Sequence, residues 1–447
     1  MEKRVETLEE QIKLVSKKFL EKTQNKEILV VSHFDTDGIT SAAIMIKTLK
    51  KLDKTFSVKI LKNLEEEFIY DLPKNKIILF LDLASGSFQY ISDTKLENVF
   101  IIDHHEITCN VPENVLIVNP ELHEKEKMSA SCLTYLFCKE LTPEIKPAAK
   151  LAILGMIGDL LEKEVDKLNH GILTDGEVTK KRGLLIYPST RPLNRALEFS
   201  SNPYIPGVTG DSKGVMELLR EADLDPSVKG FKSLMELTDE EMQNLITSVM
   251  LRNPKAKHNE IIGDIFLIKL FNKLEDAREL SAKVNACSRF GESSLAIQLC
   301  MEIPDAKKRA ETIHAKYKQL LISGLKFAEN TQKIKGKGFV IINAKHEIRE
   351  TMIGTIASIL SNSSVYEEGT IITTMAYYEN RIKVSSRITG KVGRNLRKLL
   401  SKVVEPIGGQ VGGHHCAAGC IITQDKEEEF IENLKKNLEI EVVKVKQ

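Results

Sequence analysis

Residues 28–38 read ILVVSHFDTDG. Four apolar residues, Ile28 to Val31, run straight into Ser32 and His33, then Asp35, Asp37 and Gly38. A short unbroken apolar run that stops at small and acidic residues is the pattern of a strand buried on both faces. It returns as KIILFLDL at 76–83, NVFIIDHH at 98–105 and VLIVNP at 115–120, with helical periodicity between, as in Thr40 to Leu52. Strands alternating with helices predict an α/β fold around a parallel sheet. In such sheets ligands bind outside the carboxyl ends of the strands, and there the acids lie.

Working outward, residues 1–24 place Val5, Leu8, Ile12, Val15 and Phe19 or Leu20 at helical spacing among mixed charges, which predicts an amphipathic helix. The catalytic-type pattern fills 25–164. A middle region, 165–325, opens with turn signals (Tyr187-Pro188, Arg191-Pro192, Asn202-Pro203) and reads as mostly helical, with LTDEEMQNLITSVMLR at 237–252 starting on a cap-like Thr238. After the KGKG turn at 335–338, GFVIINA and GTIITTMAYY are strand candidates, and MIGTIASIL and NLRKLLSKV are helix candidates, in a smaller α/β domain over 326–440.

The 447 residues carry 64 Lys and Arg against 63 Asp and Glu, so net charge announces no polyanionic partner, although a local basic stretch still could. Seven cysteines without a CxxC pair exclude a disulfide framework or zinc knuckle. The start MEKRVETLEE is too charged for a secretory leader, and no apolar run is long enough for a membrane span; a soluble cytoplasmic protein is the expectation. No GxxxxGK[ST] or GxGxxG occurs.

His33, Asp35 and Asp37 alternate just before a helix; Asp82 closes one strand, Asp103-His104-His105 another, and Asp159 follows an apolar helix in GMIGD. Taken singly, each acid reads as a helix cap or turn residue. Converging at one sheet edge they would repel one another unless cations neutralised them. Mixed carboxylate and imidazole donors suit Mn2+ or a similar ion better than an all-oxygen Mg2+ cage or a thiolate zinc site. Two ions about 3.5–4 Å apart, bridged by one carboxylate, are a known solution for in-line attack at phosphorus.

SHFDTDG, FLD, IDHH, GMIGD, then SSR at 385–387 and GGHHCAAG at 412–419, resemble the DHH phosphoesterase superfamily in its archaeal RecJ-like branch. The resemblance spans most of residues 25–440. It implies a parallel-sheet DHH domain, a smaller α/β DHH-associated domain and two divalent ions, Mn2+ foremost, with Mg2+ or Co2+ as substitutes. It further implies that His33, Asp35 and Asp82 hold one ion, and Asp37, Asp82, His104 and Asp159 the second, with Asp82 bridging. Asp103 would orient the neighbouring imidazole, and His105 would face the phosphate. Bacterial RecJ enzymes usually carry an acid where His33 stands, so the first position departs from that pattern.

The segment 381–402 holds eight Lys or Arg and no acid, a local phosphate-binding candidate whose plain reading is a solvated helix face. Arg387 stands apart because it lies in SSR, whose family counterpart touches the substrate phosphate; Ser386 is grouped with it. Gly412, Gly413 and His414 resemble the family's clamp on the terminal nucleotide. Arg191, Arg289 and Asn285 are further candidate polar contacts.

The resulting expectation is a metal-dependent exonuclease acting from an end of single-stranded DNA or RNA, 5′ to 3′, in replication or repair. Its rivals are an oligoribonuclease or small-substrate phosphodiesterase with the same ion site, and a replication-complex scaffold subunit that binds GINS. No membrane partner is expected.

Overall fold

The computed structural model describes residues 7–444 except 108, 124–126, 164, 201–202, 229, 255–257, 364 and 391–392. Val5, Asn202 and Lys391, which enter the sequence readings above, lie outside the described residues. The chain divides into two compact units, Met1–Lys181 with Asp264–Ala315, and Arg182–Gly263 with Lys316–Gln447.

The first unit is built on β1 (Ile28–His33), β2 (Phe56–Leu61), β3 (Ile77–Leu81), β4 (Val99–Ile102) and β5 (Val115–Val118). They form one sheet in the order β2-β1-β3-β4-β5, parallel throughout. Side-chain alternation sends Val30, Leu79, Phe100 and Ile102 into one apolar cluster and Val31, Ile78, Phe80 and Ile101 into another. The first cluster is completed by Ile39, Ala43 and Ile44 of the helix Thr36–Lys51, Leu133 and Phe137 of the helix Ala130–Leu141, and Leu151 and Ile153 of the helix Ala149–Gly158. On the other face lie Ile69, Phe88 and Ile91. Covering both faces removes the polar alternation from β3 and β4, every residue of which is buried, and this is why they read as unbroken apolar runs. The amphipathic helix forms over Leu8–Lys22, capped by Thr7, with Phe19 set edge-on against Phe100 and Phe137 at 5.0 and 5.5 Å between ring centres.

The stretch 165–325, read from the sequence as one region, is shared between the units. Its helix Ala277–Arg289, capped by Asp276, packs within the first unit: Thr36 Oγ1 donates to the Ser281 carbonyl at 3.1 Å. The part-buried pair Arg278–Glu162, at 2.8 Å, ties the same helix to the segment after Asp159. The region is largely helical, as expected, and within it β6 (Thr179–Leu184), β7 (Ile262–Leu270) and β8 (Lys273–Asp276) form a three-stranded sheet. IGDIFLIKL is short enough to suit either state, and the turn at Phe271-Asn272, both at positive φ, decides for a hairpin.

In the second unit, Thr238 caps the helix Asp239–Arg252 as expected and forms a reciprocal capping box with Glu241. The remaining strands, β9 (Ile334–Gly336), β10 (Phe339–Asn343), β11 (Ile371–Tyr378), β12 (Arg381–Ile388), β13 (Gln410–Gly413) and β14 (Ala417–Thr423), make a six-stranded sheet in the order β13-β14-β12-β11-β10-β9. Only β10 and β11 run parallel. Helices Ile353–Ser361 and Leu396–Val404 match the two sequence candidates. Among the described residues no helix is long and apolar enough to cross a membrane.

Candidate metal centre

Because β1, β3 and β4 are adjacent and parallel, with Ser32 opposite Leu81 and Leu81 opposite Ile102, the residues that follow them emerge side by side. After β1 the chain turns into a helix. Asp35 caps it through Oδ1, which accepts the Gly38 N–H at 3.0 Å, while Oδ2 lies 2.9 Å from His33 Nδ1. Asp35 is thus both a cap and a member of the cluster. Gly38 is required at this bend, since a Cβ would lie 2.3 Å from the His33 carbonyl oxygen. After β3, Asp82 takes a left-handed conformation at φ 58°, which aspartate tolerates better than most residues.

Asp82 is 1% exposed and divides its two oxygens. Oδ2 lies 3.3 Å from His33 Nδ1, and Oδ1 lies 3.4 Å from His104 Nε2. His104 Nε2 is also 3.4 Å from Asp159 Oδ2 and 4.0 Å from Asp37 Oδ2. The ligand-type atoms of His33, Asp35 and Asp82 form one close group, and those of Asp37, His104 and Asp159 another. Asp103 is fully buried and its Oδ1 accepts the backbone N–H of His104 at 2.8 Å, while its nearest imidazole is that of His105, with Nδ1 at 2.7 Å. Its Oδ2 accepts the Ser85 N–H at 3.0 Å. The ring of His105 is half exposed beside the cluster, with Nδ1 3.8 Å from Asp82 Oδ1.

The protonation balance shows a site short of positive charge. Burial opposes charging of His33, yet the carboxylates of Asp35 and Asp82 push its pKa up to about 10. For His104 burial is likewise outweighed, by Asp82, Asp37 and Asp159, and it too is pushed up to about 10. Burial, then the charge of Asp35, pushes Asp82 up to about 6; burial and the charge of Asp37 hold Asp159 well above the ordinary carboxylate range. Asp82 Oδ2 and Asp159 Oδ2 are buried and accept no hydrogen bond. Buried orphan oxygens facing imidazoles drawn toward protonation are the ligand atoms a cation would take, and the set fits a divalent ion of mixed N and O preference. Three family descriptions match this chain: DHH family, N-terminal domain, over residues 27–158; DHH-CID domain over 186–260; and DHHA1 domain over 336–439.

The chain belongs to the DHH superfamily. An uncharacterised protein of Methanocaldococcus jannaschii is 29% identical over 441 residues, covering 95% of this chain and 96% of that one. RecJ of Thermus thermophilus, solved in complex with Mn2+, shares the fold at a TM-score of 0.58 and 18% identity. That match covers 95% of this chain and 54% of RecJ, so the chain spans about half the length of that protein. CDC45 from Entamoeba histolytica matches at a TM-score of 0.71 and 10% identity, covering 95% of this chain and 99% of CDC45.

In the DHHA1 domain, Arg387 lies on β12, where its Nε donates to Ser358 Oγ at 2.9 Å and its Nη1 to Ser385 Oγ at 3.1 Å and the Ser386 carbonyl at 2.9 Å. Strand alternation turns Ser386 to the other face, where its buried hydroxyl lies 2.8 Å from Thr373 Oγ1. Of the two serines in SSR, Ser385 and not Ser386 is the one whose hydroxyl meets the guanidinium. Register then brings the glycine loop level with SSR: Ser385 pairs with Gly419 and Gly419 with Gly412, while Arg387 pairs with Ala417. Gly413, at φ 118°, closes the hairpin where a Cβ would lie 2.4 Å from the Ala417 carbonyl oxygen. His414 follows, exposed, its N–H donating to that same carbonyl at 2.7 Å. Arg289 and Asn285 hold each other at 3.1 Å, and Arg191 is exposed.

Proposed function

We propose that this DHH chain is a metal-dependent exonuclease that hydrolyses phosphodiester bonds from an end of single-stranded DNA, with RNA as an alternative substrate. The observation that carries the reading is the divided carboxylate of Asp82, one oxygen toward the His33–Asp35 pair and the other toward His104. His33, Asp35 and Asp82 would hold one divalent ion, and Asp37, Asp82, His104 and Asp159 a second. Bound there, such ions lower the pKa of water and stabilise charge on a phosphoryl group. Asp82 is kept rigid for this by its burial. Asp103 holds the His105 ring, and its charge favours the protonated imidazole, a donor for a phosphate oxygen. Arg387, its guanidinium fixed by Ser358 and Ser385, would bind a substrate phosphate, with Gly412, Gly413 and His414 as a clamp on the end of the strand. Degradation is assigned 5′ to 3′, and Mn2+ is the proposed ion.

The test is a time course with Mn2+ on single-stranded DNA and RNA labelled at either end, beside a dinucleotide and the Asp82→Ala protein. Shortening from the 5′ end, absent in the variant, is expected. Cleavage of the dinucleotide alone would move the assignment to the small-substrate phosphodiesterases. Failure to cleave any of them would favour a scaffold that binds a partner such as GINS, a reading for which the CDC45-like fold over nearly the whole chain speaks.

A further inference from the structure

Asp37 is held unlike the other acids of the cluster. Its Oδ2 accepts the backbone N–H of Ala130 at 2.6 Å and its Oδ1 that of Ser131 at 3.0 Å. These are the first two amides of the helix Ala130–Leu141, and the third, of Cys132, donates to the Ser129 hydroxyl at 3.3 Å. One side chain from outside the helix therefore satisfies two donors that a helix start normally leaves open. From the opposite side the fit depends on Gly155, where a Cβ would lie 2.3 Å from Asp37 Oδ1 and 2.1 Å from Ser131 Oγ. Ser131 Oγ cannot readily give way, since it donates to the Ala152 carbonyl at 3.1 Å. With both oxygens anchored, Asp37 keeps Oδ2 toward His104.

We propose that the turn Ser129–Ser131, together with Gly155, is a positioning device for Asp37 that sets the affinity of one ion position without setting the other. The position concerned is that of Asp37, His104 and Asp159; the position of His33, Asp35 and Asp82 has no part in the turn. The inference rests on the two-ion reading above. Its physical basis is twofold. Two aligned amides at a helix start offset part of the charge of one acid among four, so the cluster can stand assembled before any ion arrives. Fixing both oxygens also spares the ion the cost of ordering its ligand, and partners of this kind are worth about 10–100-fold in metal affinity.

Ala130→Pro tests the device directly. Proline fits the first position of a helix, and Ser129, at ψ 158°, already has the extended conformation required before proline. The substitution removes one amide and sets a methylene against Asp37 Oδ2. Gly155→Ala presses on Asp37 from the other side, and Ala130→Gly, which keeps the amide, is the control. Metal-free protein is titrated with Mn2+, free ion and the coupled-pair signal being followed by electron paramagnetic resonance, and its melting temperature is recorded without metal. The wild type and Ala130→Gly are expected to bind two ions and show the coupled signal. Ala130→Pro and Gly155→Ala should keep one position within about twofold, lose about tenfold or more at the other, and need correspondingly more Mn2+ to show coupling. Two unchanged positions in either variant would overturn the proposal. So would equal weakening of both together with a large fall in metal-free melting temperature, because the turn would then only support the fold. A wild-type protein that binds a single ion would instead retire the two-ion reading itself.

Discussion

At the carboxyl ends of β1, β3 and β4 the candidate residues close or follow the strands and are joined by Asp159 after a helix; in the DHHA1 sheet they lie within or between the strands. The first arrangement collects four carboxylates and two partly buried imidazoles where parallel strands stop, a donor set suited to cations. The second sets Arg387 and a glycine hairpin level with one another through antiparallel register, and supplies positive charge and open backbone. In the proposed reading one region would hold metal and the other phosphate, which gives each its own signature when damaged.

The sharpest separation is expected from Asp82→Ala. Turnover should fall by about three orders of magnitude or more, since the residue serves both ion groups. Yet the metal-free protein should melt within a few degrees of the wild type, because the strain of Ala at φ 58° and the lost pairing with His33 and His104 are offset by removal of a buried carboxylate that Asp35 repels. Saturating Mn2+ should raise the wild-type melting temperature, by about 2.7 kcal/mol of stability at a hundredfold excess over Kd, and should leave the variant nearly unmoved. Calorimetry with and without EDTA measures both. A variant that melts well below the metal-free wild type would make Asp82 a structural residue.

Next in size is Arg387→Ala, expected to raise KM or Kd for single-stranded DNA about tenfold or more while Mn2+ binding stays within error. Arg387→Lys should recover little, because a point charge cannot replace a fork held by Ser358 and Ser385. Loss of Mn2+ binding in either variant would break the division of labour between the two regions.

The division also explains what the sequence could and could not reveal. Most of the metal cluster was legible because its members sit at or just after the end of a buried strand, and an apolar run stopping at His33, Asp82 or Asp103 is a local signal that needs no partner strand to read; Asp159, after the helix Ala149–Gly158, carries no such signal. The two roles of Asp35 were legible only as alternatives: capping and clustering use different oxygens, which spacing cannot show. Asp37 was legible as a ligand type but its anchoring amides, some 90 residues away in the chain, were not. On β12 the motif SSR was found, but which serine shares the face of Arg387 depends on strand parity. Likewise β7 and β8 escaped because the short stretch Ile262–Leu270, apolar but for Gly263, Asp264 and Lys269, does not by itself distinguish a strand from a helix segment.

A smaller effect is expected of Gly413→Ala. The left-handed φ of 118° and the near contact with the Ala417 carbonyl should cost about 1–3 kcal/mol, lowering the melting temperature by a few degrees and weakening strand-end binding with Mn2+ affinity unchanged.

The smallest effect bears on the finest point, the parity of β12. Ser386 lies on the buried side, its hydroxyl shared with Thr373, so Ser386→Ala should cost about 1 kcal/mol of stability through the unpaired partner and leave single-stranded DNA binding within twofold. Ser385→Ala removes a hydroxyl that accepts from the Arg387 guanidinium, frees the fork to move and should weaken DNA binding several-fold with little effect on melting. The two substitutions delete the same atom type from adjacent residues, so chemistry is held constant and only the face changes. Chemical denaturation and a fluorescence-anisotropy titration of each variant give the two readouts. If Ser386→Ala is the one that weakens binding, the face assigned to the phosphate is the wrong one, and the hairpin of Gly412 and Gly413 loses its claim to act beside Arg387.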